Sequence, residues 1–274
     1  MSEEEEYTFD LRWLLEDGNA YLKNYPDESI YLEMPLVRLA NRMIDMAAEG
    51  LPLTKTLNPK LSVLSELYPL GPKDWYIELY PEKKITMTSC NTLAIIWEIL
   101  RVVGLFRKYK NELRLSRAGK KVKGHPHLLA LHLLNALQFE ADTSLVDGYE
   151  FTPFNASADK VAEMLYEFGD EYHPASFYAE KYANVDDEFG FLYSCVTVPG
   201  RDSLSSCFEC RIMNRYFEWF GFVEKTKEHF DAEKGVFIRS EYKTTPLFKK
   251  FIGVGKETQK VTYPLFYPDN NLPS

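Results

Sequence analysis

The sequence is short of the features that most directly name a function. No run of about 18 apolar residues occurs in its 274, so no membrane-spanning helix is predicted. Cysteine is scarce, with four residues. The chain begins Met-Ser-Glu-Glu-Glu-Glu, opposite in charge to a secretory leader. Together these predict free thiols in a reducing, cytoplasmic setting rather than a disulfide framework. There is no Gly-Lys-Ser/Thr loop to cradle a phosphate and no Gly-x-Ser-x-Gly to present a nucleophile. Ser203, Ser205 and Ser206 accordingly read as turn and cap residues. Positive charge is in deficit, with 32 Lys and Arg against 41 Asp and Glu, a net of -9. An acidic chain without a catalytic signature predicts a non-enzymatic protein with no cofactor and no membrane partner.

What the chain does contain is apolar and aromatic. At 45% hydrophobic and 15% aromatic it has the material for packed cores, and its length suits two domains. The most informative stretch runs from Cys90 to Lys123. Ser89 is a plausible N-cap, and Leu93 to Val103 is almost continuously apolar, too long for an ordinary buried strand. Gly104 can stop the helix in a left-handed conformation. Leu105-Phe106 then begins a strand, Lys110-Asn111-Glu112 turns, and Leu113 and Leu115 alternate with Arg114 as a second strand. Ser116 can cap a last short helix carrying Lys120 and Lys121.

The same order recurs. Ser206-Cys207 and Gly221 stand where Ser89-Cys90 and Gly104 stood. A longer turn, Thr226 to Gly235, leads into Val236-Phe237-Ile238, and Thr245-Pro246 opens a final helix. Upstream, Gly50-Leu-Pro-Leu-Thr54 is matched to Gly148-Tyr-Glu-Phe-Thr152, which places an insertion near 167–204. The predicted organisation is mainly α, or α+β with small β-wings, as two tandem units from an internal duplication. The boundaries are an acidic lead-in over 1–28, a first unit over 29–123, a second over 124–254 and a tail over 255–274. Helices are predicted over Ile30–Glu49, Lys60–Leu67, His127–Phe139 (opening the second unit), Ala158–Phe168 and Ser176–Ala183.

The helix–hairpin–cap residues resemble the winged-helix superfamily. The strings Leu53-Thr-Lys55, Gly104-Leu-Phe-Arg107 and Leu113-Arg-Leu-Ser-Arg-Ala-Gly119 are similar to ones in uncharacterised bacterial and phage proteins. That resemblance implies compact three-helix domains with a β-wing, often used to bind DNA, and implies no activity.

Charge is distributed unevenly. From Arg101 to Lys123 there are nine Lys or Arg and one acid, Glu112, whereas 138–190 holds thirteen acids and two bases. A concentrated basic wing can bind phosphates even on an acidic protein. The candidate contacts are Arg107, Lys108, Lys110, Arg114, Arg117, Lys120 and Lys121 in the first unit, with Arg211 and Arg215 on the second unit's long helix. The same charges would equally suit a protein partner with an acidic surface. The first long helix argues against base reading, because only Asn91, Glu98 and Arg101 break its apolar run.

Three chemical constellations complete the inventory. Cys207-x-x-Cys210, with Cys195 upstream, has metal-ligand spacing but falls at an apolar helix, so buried free thiols are expected. Asp74, Glu82 and Lys84 imitate a metal-dependent nuclease core, which requires Ile77 and Leu79 to alternate on a strand. His125 and His127 flank Pro126 at a helix entrance, where solvent-facing or capping roles are expected.

Overall fold

A computed structural model describes residues 8–10, 20–137, 158–196, 203–231, 236–255 and 260–262. Helices dominate, and every sheet among the described residues has two or three strands, all antiparallel. The chain divides into two compact units. One holds the described residues of Tyr25–Thr143 with the strands Thr8–Asp10 and Lys260–Thr262, which pair with each other. The other holds those of Ser144–Gln259 with the strand Ala20–Leu22.

In the first unit the helix expected over Ile30–Glu49 is broken in two. A 3-10 turn, Glu28–Glu33, is capped by Asp27, whose carboxylate accepts from the Ser29 amide at 3.0 Å. Met34 is then extended (ψ 120°), because the ring of Pro35 disfavours the helical region for the residue before it. Pro35 opens α1 (Pro35–Glu49), which buries Leu36, Leu39, Ala40, Met43, Ile44 and Ala47 along one stripe. Gly50 ends it at φ 104°, and β1 (Leu51–Pro52) follows. The second helix, α2 (Leu61–Leu67), starts one residue later than expected, since Asn58 is held in a turn with Thr54. A short α3 (Trp75–Leu79) stands where a nuclease core would need Ile77 and Leu79 on a strand.

The long apolar helix is α4 (Asn91–Val102), and Gly104 leaves it at φ 68°. Ser89 does not cap it; its hydroxyl accepts from the Thr86 amide in the preceding turn. β2 (Phe106–Tyr109) and β3 (Glu112–Leu115) form the predicted hairpin, with Phe106 opposite Leu115 and Arg107 opposite Arg114. β1 pairs with the other edge of β3, giving the order β1-β3-β2. Ser116 locks the hairpin's base: its hydroxyl donates to the Gly104 carbonyl (2.6 Å) and accepts from the Gly119 amide (3.0 Å), capping α5 (Arg117–Val122). Gly119 is required by packing, for a Cβ there would stand 2.1 Å from the Leu105 carbonyl oxygen. The next helix, α6 (Pro126–Asn135), belongs to this first unit and packs on α1, rather than opening the second. It is apolar almost all round, with Leu129, Ala130, Leu131, Leu133 and Leu134 all buried, as a core helix requires.

The second unit contains α7 (Ala158–Phe168), β4 (His173–Pro174), α8 (Ala175–Ala183), α9 (Asp187–Val196) and α10 (Ser203–Phe208). α10 runs directly into a π-helix, Glu209–Glu218. Gly221 (φ 76°) then leads to β5 (Val223–Lys225). β6 (His229–Asp231) and β7 (Val236–Ile238) pair as an outer ladder, and β8 (Glu241–Thr244) returns beside β5. α11 (Pro246–Phe251) follows, and Ile252–Val254 pairs with Ala20–Leu22.

The two units share a three-stranded sheet of like order. The sheet order β4-β8-β5 matches β1-β3-β2. Pro52 pairs with Glu112 and Pro174 with Glu241 at the same sheet position. Thr245 repeats part of Ser116's bonding: its hydroxyl donates to the Gly221 carbonyl (2.5 Å) and its amide to the Phe222 carbonyl (3.0 Å), as the Ser116 amide does to Leu105 (3.0 Å), but its side chain does not cap α11. The expected counterpart of Gly50–Thr54 at 148–152 lies outside the described residues. The sheet position of β1 is taken by β4, so the stretch expected as an insertion carries β4, α8 and α9. Most of the predicted tail over 255–274 also lies outside the described residues.

Candidate nucleic-acid interface

Strand parity divides the first hairpin into two faces. Phe106, Leu113 and Leu115 point inward and are buried. The outward face carries Arg107, Tyr109, Glu112 and Arg114, with the Lys110-Asn111 turn at its tip. Arg107, Lys108 and Lys110 are exposed, and among the described residues no carboxylate pairs with any of them. The Arg107 Nε donates to the Leu115 carbonyl at 3.3 Å, which lays the side chain across the hairpin. Arg114 is half-buried and donates from Nε and Nη2 to Glu112 Oε2, at 3.0 and 2.7 Å. That pair cancels the hairpin's one acid.

Tyr109 was not anticipated as a site residue. It is 46% exposed, and Arg107, Lys110 and Arg114 surround its ring with charged atoms 5.6–5.8 Å from the centroid. The signal was present as the spacing Arg107-x-Tyr109, which period-two alternation puts on the face opposite Phe106. Lys110 takes φ 54°, a left-handed conformation that a non-glycine residue enters only at a cost. In α5, Arg117, Lys120 and Lys121 are exposed, with Lys120 and Lys121 in its last turn.

α4 offers little to a base edge. Its exposed polar side chains are Asn91, Glu98 and Arg101, and the latter two neutralise each other, with Arg101 Nη1 2.9 Å from Glu98 Oε1. The rest, including Ile96, Trp97 and Leu100, is core.

The second unit's candidates are largely withdrawn from solvent. Arg211 is buried, 6% exposed, and therefore cannot meet a phosphate as expected; Arg215 is half-buried. Both lie in the π-helical stretch Glu209–Glu218, where Arg211 is buried with Ile212, Met213, Tyr216 and Phe217. Bonding each amide to a carbonyl five residues back brings residues five apart onto one face. Glu209 and Asn214 thus both reach the Tyr242 hydroxyl, at 2.8 and 3.0 Å. Lys225 Nζ donates to Asn214 Oδ1 and Glu218 Oε2, both at 2.8 Å, so this helix face is bound to its own hairpin. Burial, with Glu209 adding to it, holds the Tyr242 phenol far above its ordinary titration range.

The nuclease-like carboxylate has a different employment. Asp74 is 2% exposed, and its Oδ1 accepts from the Tyr76 and Ile77 amides at 3.0 and 3.4 Å, capping α3. Its Oδ2 accepts from the Thr92 amide at 3.0 Å, in the first turn of α4. One carboxylate therefore satisfies the starts of two helices. Glu82 and Lys84 are exposed on the following turn. Cys90 lies buried nearby, and desolvation pushes its thiol up to about 12. Cys207 is buried and Cys210 half-buried, and no disulfide joins them; the side chain of Cys195 lies outside the described residues. Among the described residues no three His, Cys, Asp or Glu gather as a metal site. His125 Nδ1 lies 3.2 Å from Glu28 Oε1, while His127 is buried and stacked on Tyr31 (4.8 Å, 25°).

No protein-family model, curated protein or solved structure matches this chain. Among the described residues no helix is long and apolar enough to cross a membrane.

Proposed function

We propose that this protein binds nucleic acid without catalysing a reaction, through the basic wing of the first of two tandem winged-helix-like units. The units would descend from one ancestral unit, a reading supported by the shared sheet order and by Ser116 and Thr245 each donating a hydroxyl to the carbonyl of the glycine that ends the preceding helix. The observation that carries the functional proposal is a set of exposed cations with no carboxylate partner among the described residues, Arg107 on the outward strand face, Lys108 on the opposite face and Lys110 at the turn, continued by the exposed Arg117 and Lys120 of α5. Such a set favours phosphates through counterion release, and α4 supplies no polar helix for base edges. Binding is then positioning rather than sequence-specific.

The neutralised stripe on α4 favours a second reading, in which the wing meets an acidic surface of a protein partner. One assay separates them. Labelled DNA is titrated with the wild type and with a Lys108→Glu, Lys110→Glu, Lys120→Glu variant whose circular dichroism is unchanged. Micromolar binding by the wild type that the variant loses supports the nucleic-acid reading. Absence of binding at low salt to both duplex and single strand rejects it and leaves the protein partner.

A further inference from the structure

The outward face of the first wing has a feature that phosphate binding alone does not explain. An exposed aromatic ring, Tyr109, stands at the tip of the basic hairpin, and three cations crowd it. Arg107 and Arg114 face each other directly across the strand pair, and like charges so placed repel. Glu112 relieves only Arg114, leaving Arg107 and Lys110 without a carboxylate among the described residues. Lys110 also occupies a left-handed turn position that glycine or asparagine would take more easily. The hairpin thus keeps a ring in solvent, a like-charge pair and a strained lysine in one place. A ligand with a flat π-face beside an anion would satisfy the first two.

We propose that the first wing binds single-stranded DNA, stacking an unpaired base on Tyr109 while Arg107 and Lys110 hold the flanking phosphates. The inference rests on the nucleic-acid reading above and narrows it. A paired base inside a duplex presents only its edge, and its faces are covered by its neighbours. Only an unpaired base can lie on an aromatic ring or a guanidinium plane. α4, the element that would read duplex edges, is core on all but a neutralised stripe. The wing can therefore stack but the helix cannot read, a combination suited to a single strand. Stacking on Tyr109 and phosphate contacts from Arg107 and Lys110 need no 2′-hydroxyl, so DNA suffices as the ligand, and oligouridylate tests that assignment.

The test uses the full chain and three labelled probes: oligothymidylate, its duplex with oligodeoxyadenylate, and oligouridylate. Each is titrated with the wild type, Tyr109→Phe and Tyr109→Ala. Because Tyr109 is exposed, the alanine variant should keep the wild-type melting temperature, which is checked first. Loss of one stacked base weakens binding ~5- to 150-fold. The expected result is tighter binding of oligothymidylate than of duplex, a loss in that range for Tyr109→Ala on the single strand alone, and retention by Tyr109→Phe. Equal affinity for duplex and single strand, or an alanine variant indistinguishable from wild type on oligothymidylate, overturns this inference but leaves the nucleic-acid reading standing. Tighter binding of oligouridylate overturns the assignment to DNA. No binding to any probe overturns both.

Discussion

Replacing Asp74 should weaken the first unit far more than its place in a short surface-facing segment suggests. The carboxylate is 2% exposed and accepts two well-formed amide bonds at 3.0 Å, from Tyr76 and Thr92, plus a longer one from Ile77. A hydrogen bond to a charged acceptor contributes about 1.5–3 kcal/mol, and removing the acceptor leaves buried amides unsatisfied. Counting only the two short bonds, Asp74→Ala should cost about 3–6 kcal/mol, a large share of the ~5–15 kcal/mol that holds a typical domain. Asp74→Asn keeps one acceptor oxygen and can serve α3 or α4 but not both, so about half that loss is expected. The assay is urea unfolding followed by circular dichroism, with hydrogen exchange of the Tyr76 and Thr92 amides to assign the transition to this segment. A loss below ~1 kcal/mol for the alanine variant would refute the two-helix cap. So would unchanged exchange at Thr92. A divalent-ion-dependent nuclease activity abolished by Asp74→Asn at full stability would restore the catalytic role instead.

Two further outcomes follow from the same geometry. Gly119→Ala places a Cβ 2.1 Å from the Leu105 carbonyl oxygen, and should destabilise the wing's base by about 1–3 kcal/mol, read as a lower urea midpoint. Burial depresses the proton affinity of His127 and of His132, opposed at His127 by Glu28. A histidine less basic in the folded state than in the unfolded one binds its proton first on unfolding. First-unit stability should therefore be full above pH ~6.5 and fall as pH drops from there toward the native values. His127→Phe, which keeps the ring stack on Tyr31, should flatten part of that fall in unfolding curves measured across pH, and an unchanged slope would contradict the burial effect.

The wing was legible in the sequence because each of its determinants is local. Gly104, the alternation through Leu113 and Leu115, and Ser116 each act within a few residues, and each behaves as its type requires. Elements fixed by distant partners were not legible. Nothing adjacent to Asp74 announces that its second oxygen serves Thr92, and Trp75–Leu79, too short to stand out within a Pro- and Tyr-rich connection, is helical with this cap. Arg211 looked available on an α-helical wheel, but it is buried in the π-helical stretch. α6 follows the first wing without a linker signal, so its apolar sequence suited either unit, and only its packing on α1 assigns it. Of the candidate contacts, Arg107 and Arg114 lie outward by strand parity, Lys110 stands on the turn, and Arg117, Lys120 and Lys121 lie on the exposed side of a capped helix.

The most direct test of the central claim is the salt dependence of DNA binding, compared between the wild type and a Lys108→Ala, Lys110→Ala variant. Each phosphate contact on a single strand contributes about 0.7 to the slope of log affinity against log salt, and about 0.9 on duplex. The account predicts a steep negative slope for the wild type, made shallower by about 1.4 in the double variant on single strands, which is two contacts' worth. A slope near zero, or one that the substitutions leave unchanged, would contradict the wing as the phosphate-binding surface.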